Sequence, residues 1–188
     1  MQVKLEQKIR ENSNLEKILF ECEQGKEVYQ ELLYKHFYGY AMSICRLYTY
    51  SVDEAVSILN DSFLKVFTSL ENKKYNAAKP FKTWLRRILI NTAIDNHRKN
   101  SKHNYHLEIE EAELVIPSTD SINNLHVEDI LKLLDQLPET YRMVFNLYEI
   151  QGFSHFEIGS KLSISESTSR VFLTRAKRKL RVLFNENF

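Results

Sequence analysis

The chain has 188 residues, of which only 4 are Gly and 3 are Pro, about 4% together where an average protein carries roughly 12%. That scarcity excludes turn-rich all-β, collagen-like and Gly/Ser-linker classes, and 43% hydrophobic with 27% charged residues is ordinary for a globular chain able to bury a core. The formal net charge of +1, taken whole, predicts no strong attraction to nucleic acid, anionic membrane or acidic substrate.

Charge mapped along the chain predicts otherwise. Residues 1 to 80 hold 11 basic and 11 acidic side chains, whereas 81 to 103 hold six basic ones (Lys82, Arg86, Arg87, Arg98, Lys99, Lys102) against Asp95. From 104 to 139 nine acidic residues stand against Lys132, and from 140 to 188 eight basic against four acidic. Two basic segments thus flank an acidic one, and the small total is their sum.

The N-terminal run MQVKLEQKIRENSN alternates charges without an apolar core segment, and no stretch approaches the roughly 18 apolar residues of a membrane span. Neither a secretory leader nor membrane insertion is expected. Leu5, Ile9, Leu15, Ile18 and Leu19 suit packing and partner binding equally. Cys22 and Cys45 lie in apolar helical patterns without CxxC spacing, which predicts buried, reduced thiols and a cytoplasmic protein. Val28, Leu32, Leu33, His36, Phe37, Tyr40, Ala41, Ile44 and Cys45 recur at helical spacing. Val52, Val56, Leu59, Phe63, Val66 and Leu70 form the apolar seam of a second helix, suited to antiparallel packing. A third begins near Pro80, tolerated at a first helical position, and runs to about Asn100 with Phe81, Trp84, Leu85, Ile88, Leu89, Thr92 and Ala93 on one face.

Asn104 to Leu125 lacks helical periodicity and contains Pro117, Ser118, Thr119 and Asp120 together with Glu108, Glu110, Glu111 and Glu113, the composition of a flexible acidic linker. The expected class is all-α: an extension over 1–24, a helical domain over 25–103, the linker over 104–125 and a second helical domain over 126–188. In that domain Leu125 to Leu137 predicts one helix, and Pro138 opens another that carries Tyr141, Val144, Phe145 and Tyr148 up to Gly152. Ser154 with Glu157 three residues on matches a capping box for a helix ending near Leu162. Ser163, Ile164 and Ser165 make a short turn, Ser165 being a good N-cap for the last helix.

These are the dimensions of a helix-turn-helix, whose second helix enters the major groove. Ser169, Leu173, Ala176 and Leu180 form its inner stripe, leaving Glu166, Ser167, Arg170, Val171, Thr174, Arg175 and Arg178 outward. Arg170, Arg175, Lys177, Arg178, Lys179 and Arg181 place six cations and no anion within twelve residues, which suits phosphates and guanine edges. The 81–103 helix interleaves cations with Trp84 after the polar loop KKYNAAK, the makings of a stacking platform for unstacked bases; Trp84 and Phe81 fit a core equally well. No HExxH, GxxxxGK, GxGxxG or nucleophile elbow occurs, so no catalytic residue, metal ligand set, cofactor or small-molecule substrate is expected.

The stretches NDSFLKVF (Asn60–Phe67) and FKTWLRRILINTAIDNHRKN (Phe81–Asn100) resemble region 2 of bacterial extracytoplasmic-function sigma factors of the sigma-70 family. LDQLPETYRMVFNLYEIQGFSHFEIGSKLSISESTSRVFLTRAKRKLR (Leu134–Arg181) resembles their region 4, in the same order and with a linker between. The resemblance implies a subunit that directs core RNA polymerase to promoters and helps open DNA, with polymerase core, promoter DNA and an anti-sigma factor as partners. Carried over by position, Glu54, Asn60, Asp61 and Lys65 face polymerase. Tyr75, Asn76 and Lys79 lie in the loop that captures a flipped base of the -10 element, beside Trp84, Arg87, Asn91, Asp95 and Arg98. Ser165, Ser167, Arg170, Val171, Thr174, Arg175 and Arg178 match the positions at the -35 element. Ser57 departs from an acidic residue common in the family, Asn60 from the usual Gln, and Ser163 from the frequent Gly of the turn, which adopts a positive φ more cheaply.

Two further readings compete. A stand-alone helix-turn-helix regulator leaves Trp84 and the Asn60/Asp61 face without roles, and a helical interaction module leaves the cations unexplained. Elements two helical turns apart on DNA lie roughly 68–72 Å apart. The 22 linker residues extend to at most about 73 Å but span roughly 23–28 Å as a coil, so weak promoter binding is expected of the chain alone.

Overall fold

The computed structural model describes residues 14–101 and 127–187, so Leu5, Ile9 and the expected linker lie outside the described residues. Every regular element among the described residues is helical. The described residues divide into two compact units, those within Met1–Arg46 and Ser51–Ala93, and those within Leu47–Tyr50 and Ile94–Phe188.

The first unit contains helical residues 14–23 (α1), then α2 (Glu27–Cys45), α3 (Val52–Glu71) and most of α4 (Phe81–Ser101). α1 ends at Gly25, whose φ of +70° lets the Gly25 and Lys26 amides turn back to the Cys22 and Glu21 carbonyls, the usual way a glycine closes a helix. Ser51 caps α3 by accepting from the Glu54 amide, and Asp53 and Glu54 sit at its positive end. The α3 face that turns inward is Ala55, Ile58, Leu59, Ser62, Phe63, Val66 and Leu70. The seam thus matches expectation from Leu59 onward, but Val52 is 52% exposed, because a strict 4-3 alternation drifts off a straight helix and the first turns are filled from the neighbouring positions. On α2, Leu33, Phe37, Ala41, Ile44 and Cys45 are buried while Val28 and Leu32 face out. Fully buried Leu33, Leu59, Phe63, Leu70, Leu85 and Leu89 each contribute about 1.5–3 kcal/mol of transfer free energy. Cys22 and Cys45 are buried free thiols, pushed up by burial to about 11 and about 12. Pro80 sits just ahead of α4, its carbonyl accepting from the Thr83 and Trp84 amides.

The second unit carries α5 (Val127–Asp135), α6 (Glu139–Phe145), α7 (His155–Leu162) and α8 (Glu166–Asn187). Leu134, Leu137 and Ala176 form its core cluster, with Tyr141, Phe145 and Leu180 packed on it. Pro138 is the N-cap of α6. The single helix expected from Pro138 to Gly152 is instead α6 followed by a π-helical turn, Asn146–Ile150, in which the Gln151 amide reaches the Asn146 carbonyl five residues back at 3.0 Å. Such an insertion is invisible to a 3.6-residue period. Gly152, at φ +76°, ends it. Arg142 is not a surface cation: it is 1% exposed and ion-paired with Asp135 at 2.6 Å, the pairing that a buried charge requires. Among the described residues no helix is long and apolar enough to cross a membrane.

Candidate nucleic-acid interfaces

The helix-turn-helix is built from local chemistry. Ser154 Oγ accepts from the Glu157 amide, and the Glu157 carboxylate accepts from the Ser154 amide at 2.9 Å and hydroxyl at 2.8 Å. Those bonds hold the Glu157 carboxyl below its ordinary range. α7 then stops at Ser163, a left-handed residue at φ 59°, ψ 41°. A Cβ on Gly159 would sit 2.8 Å from the Ile164 carbonyl oxygen, so the missing side chain there is what lets the turn close. The glycine that the turn needs is therefore in α7, while the left-handed position is filled by serine. Ser165 Oγ accepts from the Thr168 amide at 3.0 Å, capping α8 as expected.

α8 buries Ser169, Phe172, Leu173 and Ala176. Ser169 Oγ lies 3.0 Å from His155 Nδ1, and the His155 ring stacks on Tyr148 at 4.4 Å. Burial first, then the Arg170 charge, lowers the His155 pKa from its ordinary value. Ser165, Ser167, Arg170, Val171, Thr174 and Arg178 are exposed. Arg170 is ion-paired with Glu166 one turn back, and Thr174 Oγ1 donates to the Arg170 carbonyl at 3.0 Å, holding that side chain along the helix. Arg175 is drawn inward, half-buried, with Nη1 donating to Tyr141 Oη at 3.2 Å. A capped helix-turn-helix whose second helix turns Arg170, Arg178 and Arg181 outward is the architecture of a DNA-binding module.

In the first unit, the loop before α4 folds on itself. Tyr75 Oη donates to the Lys79 carbonyl at 2.7 Å, the Asn76 side chain accepts from the Ala78 amide at 2.9 Å, and the Lys79 amide donates to the Asn76 carbonyl at 3.0 Å. The Tyr75 ring lies 5.0 Å from Trp84 and 5.6 Å from Phe81, and Phe81 packs on Phe37 at 5.0 Å. Phe81 is core at 3% exposure, whereas Trp84 is half-buried and joins that core to the surface. At 100° per residue, Trp84, Arg87 and Asn91 fall within an arc of about 60°, opposite Leu85, Leu89 and Ala93; Arg87 is exposed and Asn91 half-buried. Asp95 and Arg98, both exposed, lie on the part of α4 that belongs to the second unit, where Arg98 Nη2 donates to the Ser160 carbonyl at 3.2 Å.

On α3, Asn60, Asp61 and Lys65 are exposed and Glu54 is half-buried. Asn60 Oδ1 accepts from Tyr34 Oη at 2.9 Å, and Lys65 Nζ donates to Thr92 Oγ1 at 3.1 Å. Leu64, not singled out from the sequence, is 64% exposed one turn along from Asn60 and Asp61. Its signal was available: it follows buried Phe63 and stands outside the apolar seam.

Two family models match the chain, Sigma-70 region 2 over residues 33–103 and Sigma-70 region 4 over residues 128–180, together about two thirds of its length. Among similar proteins are the ECF RNA polymerase sigma factors SigW and SigM of Bacillus subtilis (strain 168). SigW is 28% identical over 170 residues, covering 82% of this chain and 84% of that protein; SigM is 24% identical over 138 residues, covering 70% and 80%. The solved sigma factor RpoE, in complex with the anti-sigma factor NepR from Bartonella quintana, matches in fold with a TM-score of 0.50 and 21% identity, over 87% of this chain and 99% of that one. The chain belongs to the sigma-70 family, as an RNA polymerase sigma factor of the extracytoplasmic-function type.

Proposed function

We propose that residues 25–103 act as region 2, binding polymerase core and opening the -10 element, and that residues 126–188 act as region 4 at the -35 element, with 104–125 as the tether and 1–24 as an extension. The observation that carries this reading is the outward set Arg170, Val171, Thr174 and Arg178 on a helix whose start is set by Ser163 and Ser165. Arg170 and Arg178 suit guanine edges and phosphates, Val171 suits a thymine methyl group, and Ser165, Ser167 and Thr174 suit either. Arg175, tied to Tyr141, orients the helix and is left with its remaining donors for phosphate.

In region 2 the half-buried Trp84, backed by Tyr75 and Phe81, offers a face on which an unstacked base rests, with Asn76, Lys79, Arg87, Asn91 and Arg98 guiding the strand and Asp95 accepting from base amines. Asn60, Asp61 and Lys65, with Glu54 and the exposed Leu64, form the face for polymerase. The chain catalyses no reaction itself and acts in the cytoplasm, restrained by an anti-sigma factor. A solved relative is held by such a partner, and that likeness supports the reading.

DNase footprinting tests it. With core polymerase, both promoter elements are protected. Without it, protection of either requires far more protein, because the tether spans only roughly 23–28 Å as a coil and polymerase supplies the effective concentration at the second site. Nanomolar protection of both elements by the chain alone in physiological salt would refute the division of labour.

A further inference from the structure

Between Glu157 and Glu186 the chain holds a single acidic residue, Glu166, and it stands in the first turn of α8, ahead of that helix's cations. Its carboxylate Oε1 accepts from Arg170 Nη2 one turn along, and both side chains are exposed. A negative charge suits the positive end of a helix, which accounts for the acid but not for its partner. On a helix that only held phosphates, an acid that neutralises one of the outward arginines lowers the attraction to DNA. A second role offsets that loss.

The N-terminal residues of a recognition helix are the ones that reach base edges, and Glu166 opens α8. A carboxylate offers acceptors alone. In the major groove it is repelled by phosphates and by the acceptor edges of guanine and thymine, while the cytosine N4 amine is a partner for it. The Glu166 bond engages one N–H of the Arg170 fork, and a guanidinium carries five, enough to meet guanine O6 and N7 as well. Side chains on a helix lean toward its N-terminus, so the Arg170 guanidinium lies beside the Glu166 carboxylate rather than a turn away. Together they present a donor fork and an acceptor at one level of the helix. That is the complement of one G·C pair, which shows two acceptors on guanine and then one donor on cytosine.

We propose that Glu166 and Arg170 read a single G·C pair of the -35 element together, Arg170 taking the guanine edge and Glu166 the cytosine amine, and that Glu166 holds Arg170 off the phosphates elsewhere. The inference rests on the region 4 reading above and adds to it a specificity-determining residue, Glu166. Its charge weakens binding to DNA in general and favours one base pair, so discrimination rises from both sides.

The test is selection from a promoter library randomised over the -35 element, with the full chain bound to core polymerase, for wild type, Glu166→Gln, Glu166→Asp and Arg170→Ala. Asp keeps the negative charge at the helix start and is one methylene shorter, so it preserves a purely helix-stabilising role and loses the reach to Arg170 and a base. Wild type selects one G·C pair at least about fivefold over the other three pairs. Both Glu166 variants and Arg170→Ala relax that same pair and keep the remaining preferences. On an unrelated duplex the full chain with Glu166→Gln binds more tightly than wild type, and its slope of log affinity against log salt steepens by about 1, because the released Arg170 takes a phosphate. Unchanged selection by Glu166→Asp overturns the proposal and leaves Glu166 to the helix end. It is overturned as well if the Glu166 and Arg170 variants relax different base pairs, or if every preference falls together with the melting temperature. A wild-type protein that selects no -35 bases overturns the region 4 reading itself, and the proposal with it, which sets that failure apart from the others.

Discussion

Replacing Gly159 by alanine measures how tightly the helix-turn-helix is closed. The added Cβ lies 2.8 Å from the Ile164 carbonyl oxygen, 3.5 Å from the Glu166 nitrogen and 3.6 Å from the Ser165 carbonyl carbon. All three are backbone atoms, and none swings aside as a side chain would. The first contact is short by about 0.5 Å, so the turn must open and the Ile164 amide bond to the Gly159 carbonyl, now 3.1 Å, must lengthen. Overpacking of this kind costs about 1–3 kcal/mol, and the better helix propensity of alanine returns about 1 kcal/mol. The net loss is about 1 kcal/mol, or about 4–8 °C in the melting transition of a unit this small. Circular dichroism melting reads the stability, and fluorescence anisotropy with a -35 duplex reads the displaced start of α8 as weaker binding. Ser163→Gly works the other way, removing a left-handed serine whose strain is roughly 1–2 kcal/mol, and raises the melting temperature. A Gly159→Ala protein that melts no lower and binds the duplex unchanged would refute the steric account of the turn.

Arg170→Ala costs about 1–3 kcal/mol of promoter affinity with relaxed preference at one base pair; a loss uniform over all sequences marks a phosphate contact instead. Trp84→Ala weakens binding to a single-stranded -10 oligonucleotide by about 1–3 kcal/mol and leaves -35 duplex affinity unchanged, whereas a parallel fall in both, with a lower melting temperature, assigns Trp84 to packing alone. Because folding lowers the His155 pKa below 6.5, the unfolded chain takes up the proton first. The contribution of His155 to stability is full above about pH 6.5 and is lost as pH falls from there through the lower folded value. His155→Gln flattens the urea midpoint against pH over that window, and an unaltered slope contradicts the assignment. Cys22 and Cys45, buried and pushed up to about 11 and about 12, stay unreactive to a thiol reagent at pH 8 until denaturant is added; rapid labelling of the native chain contradicts their burial.

What the sequence made legible was local. The Ser154–Glu157 box, the Ser165 cap and the inner stripe of α8 each lie within a few residues, and each stands where spacing placed it. What it hid depended on partners far along the chain or on backbone detail. Arg142 counts as a cation in any charge map, yet Asp135 and the surrounding core remove it from the surface. The π turn at Asn146–Ile150 breaks a period that the apolar residues alone continue. Ser163 departs from the frequent Gly of the turn yet takes the left-handed conformation itself, and Gly159, four residues earlier, supplies the space. Arg175 shares its helix face with Arg178 in sequence but differs in structure, because Tyr141 offers a hydroxyl at its level. Trp84 stood between core and stacking roles on spacing alone, and its half-buried position, with Tyr75 and Phe81 behind it, shows why spacing left both open.

Run-off transcription from a randomised promoter library with purified core polymerase tests the central claim most directly. The account predicts initiation from a narrow set of templates that share two elements at fixed spacing, seen only when the chain is added to core, and lost on Trp84→Ala or Arg170→Ala. Unchanged, non-specific initiation in the presence of the chain would contradict it, leaving a helix-turn-helix protein that binds DNA without directing polymerase.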